Sequence, residues 1–418
     1  MRRTLSKIIG RAAAPLFVAL VVGASLVTAP ASTAPEAVDL PETQRVLGVQ
    51  GQVHYLPWDA AQFLAMAQSQ NGSTTNSTSP VRLITSMVSA LDGNRIAIDH
   101  WEDGYDADPV NSPQGTTEVF TLDEGQNRVL NNNVDTSNLG GLNGRGTNQP
   151  WYDGGDKLVS TGALVVTAGG WPSGAGTLHA GAAAVPNVSA YGYDFVAPTG
   201  ENATSFSSLW TYTGLVVVAS QDGTTVDVAG TPVSLDEGDS HLVDGGISIG
   251  DTVHADKPVS VYLTTGDPSA NYEGRLYRLT PTERWSTGYM TPVGSASGGN
   301  LKSRVFFYNP SSSSLTVTAT PSSGSPTTVT VPANGQASYL VPDNAGASFS
   351  APSAFYAIEA TTTPEAGSTD DSSAYNWGVA LIPTEALTPM AVVGYGPGSD
   401  DLVAPAGPDG NDSAVWVA

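Results

Sequence analysis

The sequence predicts an all-β protein made of tandem, related, antiparallel β-sandwich-like units. Three observations carry this expectation. One phrase of short apolar runs broken by Asp-Gly and Asp-Glu-Gly turns recurs along the chain. Thr, Ser, Val, Gly and Ala dominate while Lys is scarce, a mix that suits pleated strands and turns better than helices. The 418 residues, 40% of them hydrophobic, supply enough apolar side chain for more than one core.

The phrase is clearest over residues 214–266. Asp222-Gly223 separates the apolar runs 215–219 and 224–228, and Gly tolerates the positive φ of a tight hairpin turn. Val226, Val228, Val233 and Leu235 then alternate along one face, and Leu235-Asp236-Glu237-Gly238 leads to a long run ending in Asp256-Lys257-Pro258-Val259-Ser260-Val261. An earlier copy runs from Asp92-Gly93 through Leu122-Asp123-Glu124-Gly125 to Asp156-Lys157-Leu158-Val159. A weaker third copy replaces the first turn by Asn309-Pro310-Ser311 and the second by Val331-Pro332-Ala333-Asn334-Gly335. A repeated supersecondary unit buries a sheet face against its neighbour or against its own second sheet. A β-solenoid or propeller is the alternative architecture.

In chain order, residues 1–31 read as a signal peptide. Arg2, Arg3, Lys7 and Arg11 precede an apolar stretch over 12–27, and Ala29-Pro30-Ala31 offers a small-residue cleavage site. Arg2-Arg3 also gives a loose twin-arginine signature. Residues 32–80 form an N-terminal extension, with a strand over 49–57 and a short helix over 58–68. The first β unit is expected over 81–213, with a long Asn/Gly-rich loop at 131–150 and strands at 188–195 and 207–212. The second unit covers 214–294 and the third 295–395. A Gly/Pro/Asp-rich tail closes the chain at 396–418.

The formal net charge of −23 excludes nucleic acid as a partner, since that needs a basic surface. The chain has no cysteine, so disulfides, thiolate metal sites and cysteine nucleophiles are excluded. After the signal, no stretch is long and apolar enough to span a bilayer. An exported, unanchored chain, extracellular or loosely held at the cell surface, is the expectation.

The densest polar cluster lies at residues 99–108, with five carboxylates, His100, Trp101 and Tyr105 in ten positions. Hard oxygen ligands at Asp103, Asp106 and Asp108 around a Gly turn suit calcium, though without the alternating spacing of an EF-hand loop. A second acidic turn, Tyr152-Asp153-Gly154-Gly155-Asp156, is placed to close on the first, with Asp153 completing the site. Trp101 and Tyr105 are the candidate platform for a glycan, and Glu102 with Asp106 the candidate acid–base pair if the chain cleaves one. The plain alternative is an acidic surface loop at a strand end. Gly246-Ile247-Ser248-Ile249-Gly250 matches a nucleophile-elbow pattern, but a strand rather than the required helix is expected to follow. No catalytic residue is assigned.

Two stretches carry a resemblance. Residues 99–105 together with 152–158 resemble the N-terminal region of large bacterial surface proteins with Ig-like repeats downstream. The second copy, from Gln221-Asp222-Gly223 to Val259-Ser260-Val261, is similar to the N-terminal domain of IgGFc-binding proteins. The resemblance implies an extracellular β-sandwich module, non-catalytic, with an adhesive or scaffolding role toward a glycan or protein surface. This sequence stops at Ala418 without such repeats. A secreted glycan hydrolase or lyase, and an inert spacer, are the alternatives.

Overall fold

A computed structural model describes residues 51–71, 81–134, 152–172, 182–268, 274–291, 294–295, 302–362 and 378–386. The expected signal peptide, the bulk of the 131–150 loop and the 396–418 tail lie outside these residues. The described residues form 22 strands, β1 to β22 in chain order, and one α-helix, α1 (Ala60–Asn71). Among them no helix is long and apolar enough to cross a membrane.

The fold is all-β and antiparallel, and the same eight-position topology occurs three times. The core strands of the first unit are β2 (Val81–Ser89), β3 (Asn94–Asp99), β4 (Glu118–Leu122), β5 (Asn127–Val134), β6 (Lys157–Ser160) and β7 (Leu164–Pro172). With β1 (Gln52–Tyr55) and β8 (Ala182–Ala184) they make two four-stranded sheets, β1-β6-β3-β4 and β5-β2-β7-β8. The second unit repeats this with β9 (Gly192–Val196), β10 (Tyr212–Ala219), β11 (Thr224–Val228), β12 (Thr231–Leu235), β13 (Ser240–Val243), β14 (Thr252–Gly266) and β15 (Gly274–Arg278). Here β14 does the work of both β6 and β7. Its first part pairs with β9 and β11, its second with β10 and β15. The third unit does the same with β16 (Ser286–Met290), β17 (Lys302–Asn309), β18 (Leu315–Pro321), β19 (Thr327–Val331), β20 (Gly335–Leu340), β21 (Ala347–Thr362) and β22 (Gly378–Ala380).

The long strand changes sheet where its sequence breaks. The β9 register on β14 shifts between His254 and Val259, across Lys257-Pro258. The β16 register on β21 shifts between Ser350 and Phe355, across Pro352. Proline cannot donate to a ladder and is tolerated at such corners. In the first unit Thr161-Gly162-Ala163 interrupts the strand altogether.

The turn phrase has a physical basis. Asp92 Oδ1 accepts from the Glu124 amide at 3.1 Å while Asp123 Oδ1 accepts from the Gly93 amide at 2.9 Å. In the second unit Asp222 Oδ1 accepts from Glu237 at 3.0 Å and Asp236 Oδ1 from Gly223 at 2.9 Å. Each pair of turns is thus clasped by reciprocal side-chain caps, which is why Asp-Gly and Asp-Glu-Gly travel together. In the third unit Asn334 takes the glycine's place at φ +47°, a region Asn tolerates better than most residues.

The lead-in strands place the unit edges. Gly192–Val196 pairs within the second unit and Ser286–Met290 within the third, so the sheets begin upstream of the expected starts at 214 and 295. Likewise β1, from the expected extension, joins the first unit. The strand expected at 207–212 is instead a 3₁₀ turn over Ser207–Trp210 leading into β10. Phe206 enters that turn at φ +53°, and Leu209 and Trp210 are buried beneath it.

Apolar alternation divides between two cores. Along β17, Val305 and Phe307 face the third unit's own core, while Phe306 and Tyr308 pack with the second. Along β10, Leu215 and Val217 face the second unit's core, and Val216 and Val218 join the first. A strand covered on both faces reads as a continuous apolar run rather than a clean alternation. The helix α1 lies on the second unit: Gln62 Nε2 donates to the Ser240 carbonyl at 2.9 Å, and Trp58 meets Tyr262 edge-on at 5.0 Å.

Candidate functional site

The two acidic segments of the first unit meet at its boundary with the second. One follows β3, whose buried end carries the chain into a 3₁₀ turn over Trp101–Asp103. The other precedes β6. Antiparallel pairing sets Asp99 opposite Lys157, so the residues just beyond β3 and just before β6 are brought side by side. His100 Nδ1 and Asp156 Oδ2 are 2.9 Å apart, both side chains fully buried.

Two glycines allow the approach. The Gly154 amide donates to the Trp58 carbonyl at 2.6 Å, and a Cβ there would overlap the Asp59 backbone. Gly155 sits at φ +96° against the Trp101 ring, a backbone shape side chains resist. Asp59 caps α1 by accepting from the Gln62 amide at 2.8 Å.

The result is a crowd of carboxylates. A ring nitrogen of His100 and carboxylate oxygens of Glu102 and Asp156 lie within 4.8 Å of one another. Asp153 is 2% exposed, and both its oxygens are buried without a well-formed hydrogen bond. Asp156 Oδ1 and Glu102 Oε2 are buried in the same condition. Burial, then the charges of Asp156, Glu102 and Asp59, push the Asp153 carboxyl well above the usual range. Burial and the Asp156 charge raise Glu102 to about 7. Burial opposes charge on His100, but Asp156, Glu102 and Glu118 outweigh it and hold its pKa up. The neighbouring cations are committed elsewhere. Lys157 Nζ is 2.9 Å from Glu237 Oε1, and Arg128 is 2.8 Å from Glu118 Oε2.

The residues named from sequence divide into two sets. Asp153 lies in this crowd. Asp103 Oδ2 instead accepts from the Thr116 amide and hydroxyl, both at 2.9 Å. Asp106 Oδ2 accepts from the Gln114 amide at 2.7 Å and the Thr117 hydroxyl at 2.8 Å. Asp108 Oδ1 caps the turn at Asn111, 3.1 Å from its amide. These three carboxylates shape their own loop. His100, Glu102 and Asp156 converge instead, whereas the sequence placed calcium on Asp103, Asp106, Asp108 and Asp153. Gly154-Gly155 between two aspartates is the sequence signal that marks the closely packed segment.

The aromatic pair is also engaged within the protein. Tyr105 Oη donates to the Gly155 carbonyl, and the Lys157 ammonium sits 4.5 Å above its ring. The Trp101 ring packs on Gly155. Ser248 occupies a loop between β13 and β14 with its amide on Asp251 Oδ2 at 2.8 Å, and a strand follows. This is not the strand–turn–helix of a nucleophile elbow.

No protein-family model matches the chain, and no curated protein matches it.

Proposed function

We propose that this chain is an exported, non-catalytic scaffold of the cell surface or extracellular matrix, holding a glycan or protein partner. The observation that carries this reading is the fusion of three units of one topology through shared cores, with β10 and β17 each buried on both faces. Units that share apolar cores have the kind of interface that disfavours hinge motion between them. The sequence resemblance to IgGFc-binding N-terminal domains and to bacterial surface proteins points the same way, as does the basic, apolar N-terminus with its small-residue cleavage site. The site chemistry agrees: the His100–Asp156 pair is sealed from solvent, which suits structure better than turnover of a polymer.

The test is sedimentation of the exported chain with insoluble polysaccharides and with the producer's own cell walls, with soluble sugar measured in the same tubes. Pelleting without sugar release is the expected result. Sugar release would overturn the non-catalytic reading and make Glu102 the first residue to change. Absence of both would leave a protein partner, sought by cross-linking on intact cells, or an inert spacer.

A further inference from the structure

We propose that His100, Glu102 and Asp156, with the buried Asp153 carboxylate beside them, form a site for one divalent transition metal of the zinc or manganese kind, where the first unit meets the second. The loop carboxylates Asp103, Asp106 and Asp108 are not its ligands. This is independent of which partner the chain holds outside the cell.

Two observations combine. The first is convergence: donor atoms of His100, Glu102 and Asp156 lie within 4.8 Å of one another, although Asp156 stands far along the chain from the other two. The second is the state of the buried oxygens. Both oxygens of Asp153, Oδ1 of Asp156 and Oε2 of Glu102 are shielded from solvent without a well-formed hydrogen bond. Burying carboxylate oxygens in this way is costly unless a cation or a proton joins them. Lys157 and Arg128 do not meet that need, being spent on Glu237 and Glu118.

The donor set chooses the ion. Calcium and magnesium take oxygen ligands almost alone, calcium six to eight of them, whereas imidazole with carboxylates suits zinc and its first-row neighbours. Three converging protein donors match a zinc site that keeps its fourth position open to water. The glycine contacts at Trp58 and Trp101 fix the backbone around the site, so its donors are held before an ion arrives. The competing occupant is a proton shared among Asp153, Glu102 and Asp156, and metal binding would release it.

The experiment strips the full exported chain with chelator. It then titrates Zn²⁺, Mn²⁺, Ca²⁺ and Mg²⁺ separately by calorimetry at physiological salt, with thermal unfolding alongside. Expected is one Zn²⁺ or Mn²⁺ per chain, with a matching rise in Tm. Glu102→Gln, at a partly exposed position that should fold normally, is expected to weaken binding at least tenfold, in line with the loss of a metal-site partner. Asp153→Asn should weaken it as well, and Asp103→Asn should leave it unchanged. Failure of both transition metals to bind stoichiometrically would overturn the site. So would affinity unchanged in both Glu102→Gln and Asp153→Asn, which would mean adsorption to an acidic surface. Tighter binding of Ca²⁺ than of Zn²⁺ and Mn²⁺ would overturn the ion class. A rise in Tm on Asp153→Asn without any metal response would assign the pocket to the shared proton.

Discussion

Replacing Glu237 by alanine asks whether the first two units stand as one body. Glu237 belongs to the second unit's Asp-Glu-Gly turn, yet its Oε1 accepts from Lys157 Nζ at 2.9 Å and from the Tyr55 hydroxyl, both in the first unit. The Lys157 side chain is 5% exposed and that of Glu237 23%. Glu237→Ala leaves the ammonium with the Tyr105 ring face and the charge of Asp99. It also strands a buried phenol. A hydrogen bond to a charged group contributes about 1.5–3 kcal/mol, and an orphaned buried polar group costs about 1–3 kcal/mol. Water reaching the partly exposed end favours the lower limits, so the expected loss is about 2.5 kcal/mol. The assay is chemical denaturation followed by both tryptophan fluorescence and far-ultraviolet circular dichroism, whose transitions should coincide in a fused body. A double-mutant cycle with Lys157→Met should return a coupling energy of about 1–2 kcal/mol for this contacting pair. A loss below about 0.5 kcal/mol, with the two changes additive, would refute the reasoning.

Three further outcomes follow from the packing. Burial raises Glu359, on β21, to about 8 from an ordinary 4.5. Between those values the folded chain keeps a proton that the unfolded chain has lost, so stability falls as pH rises through this window, by about 1.4 kcal/mol per pH unit at most. Glu359→Gln should flatten that slope and raise stability above neutral pH, as read by urea midpoints at a series of pH values. Gly154→Ala pushes a methyl group into the Asp59 backbone and should cost about 3 kcal/mol, the upper end for overpacking; an unchanged Tm would disprove the close approach. Phe306→Ala removes a ring that meets Trp210 at 5.0 Å and Phe206 at 5.8 Å, both edge-on. It should cost about 3–5 kcal/mol and speed proteolysis between the second and third units.

Much of the fold is legible in the sequence because sheet structure is written locally. Asp-Gly turns, the continuous apolar run of β10 and the alternation along β11 and β12 identify these strands without reference to anything distant. The unit edges are less legible. Gly192–Val196 and Ser286–Met290 are short, mix polar with apolar residues, and acquire their place only by pairing with a long strand some 60 positions on. For the same reason the stretch at 207–210 resembles a strand in composition but turns on a left-handed Phe206. The candidate site shows a different limit. Counting carboxylates finds two segments that the fold brings side by side, yet cannot tell which oxygens the loop consumes for itself. Thr116, Thr117 and Gln114 supply the donors that occupy Asp103 and Asp106, and their role appears only when the loop closes. His100 and Asp156 carry the pocket because β3 and β6 happen to be neighbours, a pairing between strands separated by a long insert.

Helix α1 links these residues to the assembly of the units. Asp59 caps α1 through the Gln62 amide, and its charge is among those that act on Asp153. From there α1 runs across the second unit, where Gln62 reaches Ser240 and Ser69 Oγ donates to Asp244 at 2.7 Å. The Gln70 amide bonds to the hydroxyl of Thr264 further along the same sheet. A ligand that binds only the folded pocket adds RT ln(1 + [L]/Kd) to stability. Because the helix start forms one wall of the pocket and its length covers the second unit, that gain is expected to appear at the seam. Zn²⁺ or Mn²⁺ should therefore protect the amides of β10 and α1 from hydrogen exchange as strongly as those around Asp156. Protection confined to residues 99–117 and 152–157 would separate the pocket from the seam and place the metal in a purely local role.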